Sequence, residues 1–206
     1  MKIVKQKFEI LTEISPNAEK ELGLIERAGR TCYKSEAKNG DNAEKFIRRI
    51  IKLGHESVLE HSLLTVKFVT SRSVSHQLVR HRLAAFSQES QRYCNYSKER
   101  FGSEIQFVDP VSMTLDEFQA WKNLCALDEQ EYIKLVRNGV APEIARSVLP
   151  NCTKTEIVMS TNYREWRHVL KERTSTRADP NTRSLMRSLL RELQERIPVI
   201  FEDIEI

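Results

Sequence analysis

The chain has 206 residues, of which 40% are hydrophobic, and this size suits one globular domain with a sizeable core. Its 33 basic and 29 acidic residues nearly cancel to a net charge of +4, which permits a phosphorylated ligand without requiring a nucleic-acid polymer. No apolar run approaches the roughly 20 residues that span a bilayer, and the N-terminus lacks a signal-peptide core, so we expect a cytoplasmic protein with no membrane partner.

Strand and helix patterns alternate over the first 82 residues. Alternating polarity predicts a strand over 2–12, and Ser15-Pro16 supplies the cap and the first-turn proline of a helix. We then predict a turn at Gly40-Asp41, a second helix that ends at Gly54, a strand, and a short helix over 72–82. The apolar positions that these elements are expected to bury are Leu22, Ile25, Ala28, Phe46, Ile47, Ile50, Ile51, Leu53, Leu64, Val66 and Phe68.

The rest of the chain adds two strands and several helices. The spacing predicts a short strand over 105–108, a long helix over 114–138, a helix that Pro142 opens, a strand over 154–161 and two final helices, the last capped by Asp179. The expected apolar faces are Leu115, Phe118, Trp121, Cys125, Tyr132 and Leu135 in the long helix and Leu185, Met186, Leu189, Leu190 and Leu193 in the last helix. We therefore expect a helix-rich α+β fold, with a central antiparallel or mixed sheet, in a single domain over 1–206.

Several motifs of known chemistry are absent. The chain has no glycine-rich dinucleotide fingerprint and no phosphate-binding loop, so side chains must hold any dinucleotide. His55 and His61 resemble the ends of a zinc-binding H-E-x-x-H helix, but their spacing turns them about 120° apart, so no metal site is predicted. The cysteines are scattered without a C-x-x-C pair, which favours free thiols; they are Cys32, Cys94, Cys125 and Cys152.

The most informative segment runs from Arg80 to Tyr93. Its sequence, RHRLAAFSQESQRY, combines three arginines, a histidine and two serines with apolar neighbours. The arginine guanidinium is a planar fork of donors that suits phosphate, and hydroxyl groups add neutral donors beside it. Because a solvated alternating strand would not need the apolar run from Leu83 to Phe86, we interpret the segment as an anion site with hydrophobic walls, of the kind that holds a nucleotide.

The order of the motifs resembles that of the flavin-dependent thymidylate synthases. Arg80-His81-Arg82, followed by seven residues and then Ser90, is similar to the signature of that family, and Gln77 precedes it at the family's spacing. Other similar segments are GHESVLEH from Gly54 to His61, ARSVLP from Ala145 to Pro150, and Asn162-Tyr163-Arg164 followed by His168 and Arg173.

This resemblance implies a homotetrameric α+β enzyme with shared active sites. Its expected reaction is the reductive methylation of dUMP to dTMP. Methylenetetrahydrofolate would provide the carbon, and bound FAD, reduced by NADPH, would provide the hydride. The family does not attack the pyrimidine with a cysteine, which agrees with the scattered cysteines of this chain.

The resemblance also implies roles for individual residues. Arg173 would be the catalytic residue, because a fixed cation against the uracil ring favours negative charge on N3 and O4 and activates C5. The expected dUMP contacts are Gln77, Arg80, Gln88, Glu89, Ser90, Gln91, Arg92, Arg146 and Arg173. The expected FAD contacts are His55, Ser57, Arg80, His81, Arg82, Gln88, Asn162, Arg164 and His168. The flavin ring carries the redox chemistry, and the protein orients it.

Four polar or charged residues in the matched part of the chain also have a purely structural interpretation. Glu60 would only bridge to a nearby arginine, and Arg146 would form a surface ion pair. The charged run around Arg173 is typical of a solvated face, and Asp179 of a helix cap rather than a ligand.

The sequence also departs from the family pattern at three places. Ala85 stands where many members carry serine, Gln88 stands where some carry glutamate, and Arg177-Ala178-Asp179 replaces a stretch that often reads H-A-Q. These departures leave open a non-catalytic nucleotide-binding protein that has lost the chemistry. The arginine-rich motif also permits a nucleic-acid-binding module, against which the balanced charge argues.

Overall fold

The computed structural model describes residues 1–36 and 42–205, so the turn predicted at Gly40-Asp41 lies outside the described residues. The fold is helix-rich α+β with a small mixed sheet, which confirms the predicted class. The strands are β1 Lys2–Val4, β2 Lys7–Ile10, β3 Leu63–Ser71, β4 Ala84–Gln88, β5 Gln106–Val108 and β6 Lys154–Asn162. The helices are α1 Glu19–Tyr33, α2 Ala43–Lys52, α3 Arg72–Leu78, α4 Leu115–Arg137, α5 Pro142–Ala145, α6 Tyr163–Arg173, α7 Pro180–Arg196 and α8 Pro198–Phe201.

The chain divides into two compact units, each of which is described by itself. The first unit contains Met1–Phe8, Lys67–Arg80 and Phe86–Val158. The second unit contains Glu9–Val66, His81–Ala85 and the chain from Met159 onward. That residues 1–206 act as a single domain stays a prediction.

The strands form two sheets. Four strands follow the order β2-β3-β6-β4, so β4 is an edge strand, and β1 pairs in parallel with β5, with Lys2 opposite Gln106. The predicted alternation in β3 and β6 is confirmed, since the buried side chains are Leu64, Val66, Phe68, Thr155, Ile157 and Met159. This period of two is the one that a pleated strand gives to its side chains.

The core of the second unit forms around α6. The indole Nε1 of Trp166 donates to the carbonyl oxygen of Leu64 at 2.9 Å, and α6 packs against α7. All five apolar positions predicted for the last helix are buried, and the Asp179 carboxylate caps that helix by accepting from the backbone N–H of Thr182. The cap interpretation of Asp179 is therefore confirmed.

The core of the first unit forms beside α4. Thr114 and Glu117 begin this helix with a reciprocal capping box, and Cys125 and Tyr132 are buried among the apolar side chains of the unit. The predicted helix over 114–138 is thus confirmed within a residue at each end. Leu115, however, is 89% exposed, because it lies in the first turn, so its place in the buried face was wrong.

Three further predictions need correction. The strand over 2–12 is two strands, because β1 pairs with β5 whereas β2 joins the other sheet. Leu53 is 61% exposed, since α2 ends one residue before it. The helix over 72–82 ends at Leu78, and the apolar run after it forms strand β4 with half-buried and exposed side chains in alternation. Pairing at the sheet edge therefore outweighs the local pattern there.

The cysteines are free, as predicted, but two of them are not isolated in space. The Sγ atoms of Cys125 and Cys152 lie 3.6 Å apart. The hydrogen bond between the two thiols raises the pKa of Cys125, which is buried, and lowers the pKa of Cys152, which is half-buried. Within residues 1–36 and 42–205, no helix combines the length and the hydropathy that crossing a membrane requires.

Candidate active site

A cluster of polar side chains surrounds His81 in the second unit. His81 is 5% exposed, and α6 directs three side chains toward it from successive turns, Glu165, His168 and Arg173. These four residues are called the histidine cluster below. The Nε of Arg173 donates to Nε2 of His81 at 3.0 Å, and Nδ1 of His81 lies 3.5 Å from Oε1 of Glu165. The rings of His81 and His168 meet edge to face, with their centroids 5.7 Å apart.

The protonation of His81 follows from these surroundings. Burial, and then the positive charge of Arg173, lowers the pKa of His81 to about 4. The imidazole is therefore neutral near pH 7, which agrees with its role as an acceptor from Arg173. Burial also raises the pKa of the Glu165 carboxyl.

The start of α6 fixes the geometry of the cluster. The side chain of Asn162 is the N-cap and accepts from the backbone N–H of Glu165 at 2.8 Å. Glu165 thus occupies the third position of the helix, and His168 and Arg173 follow in the later turns. The solvated-face interpretation of Arg173 is wrong, because its side chain is half-buried and bonded to His81.

A cavity of about 540 Å³ adjoins this helix in the second unit. Its lining is Glu56, Glu60, Leu83, Asn162, Arg164, Glu165, His168 and Lys171. It includes three of the predicted flavin contacts, Asn162, Arg164 and His168. The guanidinium of Arg164 donates to Glu60 at 2.5 Å, so the prediction that Glu60 bridges to an arginine is confirmed.

Ligand atoms of His81, His168 and Glu172 all lie within 4.8 Å of one another, as metal ligands do. The Nε2 lone pair of His81, however, already accepts from a guanidinium. A metal ion at that nitrogen would have to displace this cation and bind beside its charge.

Two arginines of the predicted dUMP site meet in the first unit at a residue that the sequence did not indicate, Glu143. The Nε of Arg92 donates to the Glu143 carboxylate at 2.9 Å, and the Nε of Arg146 donates to the Glu143 carbonyl oxygen at 3.1 Å. Arg92 and Arg146 are called the arginine pair below, and Glu143 is called its bridge. All three are exposed, so Arg146 does lie at the surface, but its partner is a backbone oxygen.

The turn after β4 carries Ser90 and Gln91, two neutral polar residues of the predicted dUMP site. Ser90 Oγ accepts from the backbone N–H of Arg92, and the carbonyl oxygen of Ser90 accepts from the backbone N–H groups of Tyr93 and Cys94. Gln91 is 7% exposed, and its amide nitrogen has no hydrogen-bond partner among the described residues. A buried unpaired donor is costly, so this amide is available for a ligand.

Glu89 and Gln88 have structural partners within the first unit. Tyr96 donates to Oε1 of Glu89 at 2.7 Å, and Lys154 donates to Oε2 at 2.9 Å. The amide nitrogen of Gln88 donates to Ser75 and Thr155, at 2.9 Å and 3.1 Å. In the side chain of Gln88 only the amide oxygen is left for a ligand, and it can accept a hydrogen bond from a ligand donor. The predicted contacts of both residues stay predictions, with most of their capacity already used.

The remaining predicted residues lie at the surface or near it. Arg80 follows α3 in the first unit, and Gln77 is half-buried within that helix. In the second unit Arg82, His55 and Ser57 are exposed, the last of these in the 3₁₀ turn Glu56–His61. The sequence analysis missed Glu165 and Glu143. A sequence signal existed for Glu165, since Asn-x-x-Glu is the spacing of a helix N-terminus.

A family model described as thymidylate synthase complementing protein matches residues 11–199. The flavin-dependent thymidylate synthase of Corynebacterium aurimucosum is 34% identical over 215 residues, which cover 94% of this chain and 84% of that protein. The enzyme of the same name from Mycobacterium tuberculosis is 38% identical over 202 residues, which cover 89% of this chain and 79% of that protein.

Among solved structures, the UMP/dUMP methylase PolB from Streptomyces cacaoi, bound with 5-Br UMP, has a similar fold. The TM-score is 0.78, and the comparison covers 98% of this chain and 95% of that one. At 20% sequence identity, this likeness establishes the fold alone.

Proposed function

Since this chain belongs to the thymidylate synthase complementing protein family, we propose that it methylates dUMP to dTMP, as its relatives named flavin-dependent thymidylate synthase do. Methylenetetrahydrofolate gives the carbon, and NADPH gives the reducing equivalents through FAD. The family match over residues 11–199 carries this proposal, because it includes every predicted site residue.

Arg173 acts on the uracil ring in this proposal. Its Nε is bonded to neutral His81, so its terminal nitrogens are directed by a fixed contact. A guanidinium beside N3 and O4 stabilises negative charge that develops there and makes C5 more nucleophilic toward the incoming carbon. Because His81 carries no charge near pH 7, it adds no second positive charge beside the Arg173 guanidinium.

The dUMP phosphate binds the arginine pair. A phosphate is a stronger bidentate acceptor than an exposed carboxylate, so it displaces the Glu143 side chain from Arg92 and recruits Arg146. Ser90 Oγ and the unpaired amide of Gln91 add neutral donors in the same turn. Gln77, Arg80, Gln88 and Glu89 complete the proposed dUMP contacts.

The residues of the second unit suit parts of a flavin. Leu83 and His168 give the cavity apolar and aromatic surface, and Asn162 and Arg164 give it donors. Its three carboxylates, Glu56, Glu60 and Glu165, suit the neutral ring and ribityl hydroxyls better than a pyrophosphate. Bound there, FAD would supply the hydride chemistry. The exposed donors His55, Ser57, Arg80 and Arg82, with His81 and Gln88, are its other proposed contacts.

We also propose a homotetramer whose subunits share active sites. In its support, helices α4 and α5 in the first unit expose large apolar side chains, and exposed apolar surface is typical of a protein interface. The most exposed are Leu115, Leu124, Leu127 and Ile144. Light scattering after gel filtration measures the assembly mass directly. A cytoplasmic location and the lack of a nucleic-acid partner stay predictions.

The function is tested first by a spectrum. We expect the purified protein to be yellow and to bleach when NADPH is added under anaerobic conditions. It should also release tritium from C5-labelled dUMP only when methylenetetrahydrofolate is present. A colourless protein that takes up no FAD contradicts the proposal, and a steep salt dependence of oligonucleotide affinity would then favour the nucleic-acid-binding alternative.

The assignment of Arg173 is tested by Arg173→Ala. Losing one preorganised donor to a developing anion costs roughly 10²- to 10³-fold in turnover in other enzymes, and we expect a loss of this size with FAD still bound. Arg191→Ala is the matched control, because Arg191 is an exposed arginine of α7 outside the predicted site. Unchanged turnover in Arg173→Ala would remove Arg173 from the mechanism and leave the family assignment intact.

A further inference from the structure

The two ring nitrogens of His81 face groups with opposite needs. Nε2 accepts a hydrogen bond from Arg173 at 3.0 Å, and an acceptor nitrogen carries no proton. The single proton of the neutral imidazole therefore lies on Nδ1, which faces a carboxylate oxygen of Glu165 at 3.5 Å. The contacts thus select one of two tautomers.

Glu165 is held in place to make this selection. It is 8% exposed, and the Asn162 cap fixes its backbone at the start of α6. Among the described residues, the other charged or titratable groups that act on His81 through their charge are Arg173, Glu172 and His168. Among these, His168 and Glu172 are exposed, and Arg173 can only donate. Glu165 is therefore the buried acceptor that faces Nδ1.

We propose that Glu165 is a positioning residue, whose carboxylate holds His81 as the Nδ1–H tautomer so that Nε2 can hold Arg173 against the substrate ring. The role of Arg173 in this inference rests on the proposed function, whereas the tautomer and its contacts do not. Without the carboxylate, the proton is free to move to Nε2, where it would oppose the N–H of Arg173, donor against donor.

The tautomer is tested by nitrogen NMR on protein labelled with ¹⁵N-histidine. The chain has five histidines, and His81→Gln identifies the signal of His81. At pH 7 we expect a protonated Nδ1 and an unprotonated Nε2 in the wild type. In Glu165→Leu we expect the two tautomers to be mixed, or the Nε2–H form to dominate. Glu165→Gln keeps an acceptor oxygen at the same position and should restore much of the wild-type signal.

Glu172→Gln is the control for charge alone. This carboxylate also lies near His81 and acts on it through its charge, but it is exposed, whereas Glu165 is buried. We expect its removal to leave the tautomer unchanged. An Nε2–H signal in the wild type, or a wild-type signal in Glu165→Leu, would overturn the proposal whatever reaction the protein catalyses.

The link to Arg173 is tested by a double-mutant cycle on turnover. Misplacing a reacting group by about 1 Å can cost 10²-fold, so we expect Glu165→Leu to lose roughly 10- to 100-fold in kcat. If Glu165 acts through Arg173, adding Glu165→Leu to Arg173→Ala causes little further loss. Losses that multiply in the double variant contradict this route, even if the protein is a thymidylate synthase. Absence of dTMP formation in the wild type contradicts the proposed function instead, and the NMR result still stands.

Discussion

The two units surround their half-buried charged side chains in different ways. In the first unit the Nζ atom of Lys154 lies 2.9 Å from one carboxylate oxygen of Glu89 and 2.9 Å from one of Glu156. The other oxygen of Glu89 accepts from Tyr96 at 2.7 Å, and the other oxygen of Glu156 pairs with Lys67 at 2.6 Å. These five residues are called the lysine network. In the second unit the histidine cluster surrounds a neutral imidazole with one cation and one carboxylate at a longer distance.

The difference separates a structural arrangement from a reactive one. Burial lowers the pKa of Lys154, but its bonds to Glu89 and Glu156 outweigh that effect and raise the pKa above its ordinary value. The bond to Lys67 lowers the pKa of Glu156. Every charge in the network is thus compensated by the protein. In the histidine cluster burial prevails and keeps the imidazole of His81 neutral near pH 7.

The largest expected effect on stability concerns His81 and acid. Its pKa is about 4 in the folded protein and near its ordinary 6.5 in the unfolded chain. Above pH 6.5 both states are neutral and the difference has no effect. As the pH falls from 6.5 to 4, only the unfolded chain gains the proton, so stability falls by at most roughly 3 kcal/mol. Urea unfolding at pH 7 and pH 4, at constant flavin content, measures this loss.

The matched variants are His81→Gln and His61→Gln. Because His61 is exposed, its replacement should leave the acid-dependent loss unchanged, whereas His81→Gln should remove most of the part that titrates between pH 6.5 and 4. The Arg173, Glu165, His168 and Glu172 groups around His81 are present in both variants. An equal pH dependence of the unfolding free energy in the two variants would show that His81 is not the buried neutral group described above. The difference between the two units would then not hold.

A smaller effect is expected from breaking the lysine network. Lys154→Met keeps the aliphatic stem but removes the cation between Glu89 and Glu156, which then repel each other. Since Tyr96 and Lys67 still hold their outer oxygens, we expect a loss of about 1–2 kcal/mol in the free energy of unfolding at pH 7. Lys134→Met is the control, because Lys134 forms an exposed pair with Glu131. Equal losses of unfolding free energy in the two variants would show that the lysine network stabilises the protein no more than an exposed ion pair does.

Helical periodicity predicted much of the fold, for a physical reason. In α4 and α7 the apolar spacing, the caps and the flanking residues all indicate the same helix, so local sequence suffices. Strand β4 was not predicted. Its sequence, Ala84-Ala85-Phe86-Ser87-Gln88, has a weak alternation, and pairing at the edge of the sheet determines its structure.

The candidate site divides in the same way. The resemblance to a family predicted Arg173 and His81 as site residues because their types and spacing belong to motifs. It did not identify Glu165 and Glu143, whose contacts depend on tertiary packing that brings distant segments together. The Cys125–Cys152 contact was hidden for the same reason, since one thiol lies in α4 and the other precedes β6.

The smallest effect should come from the bridge of the arginine pair. Glu143 holds Arg92 at 2.9 Å, with both side chains about half exposed, and such a pair contributes about 0.2–1 kcal/mol. If the phosphate of dUMP must displace this carboxylate, Glu143→Gln tightens dUMP binding by roughly 1.4- to 5-fold, since 1.4 kcal/mol corresponds to tenfold. Calorimetric titration with dUMP measures the change, with Glu131→Gln, at the exposed Lys134 pair, as the control. Weaker binding in Glu143→Gln would mean that Glu143 positions Arg92 for the phosphate instead of competing with it, and Arg92 would then belong with the compensated charges of its unit.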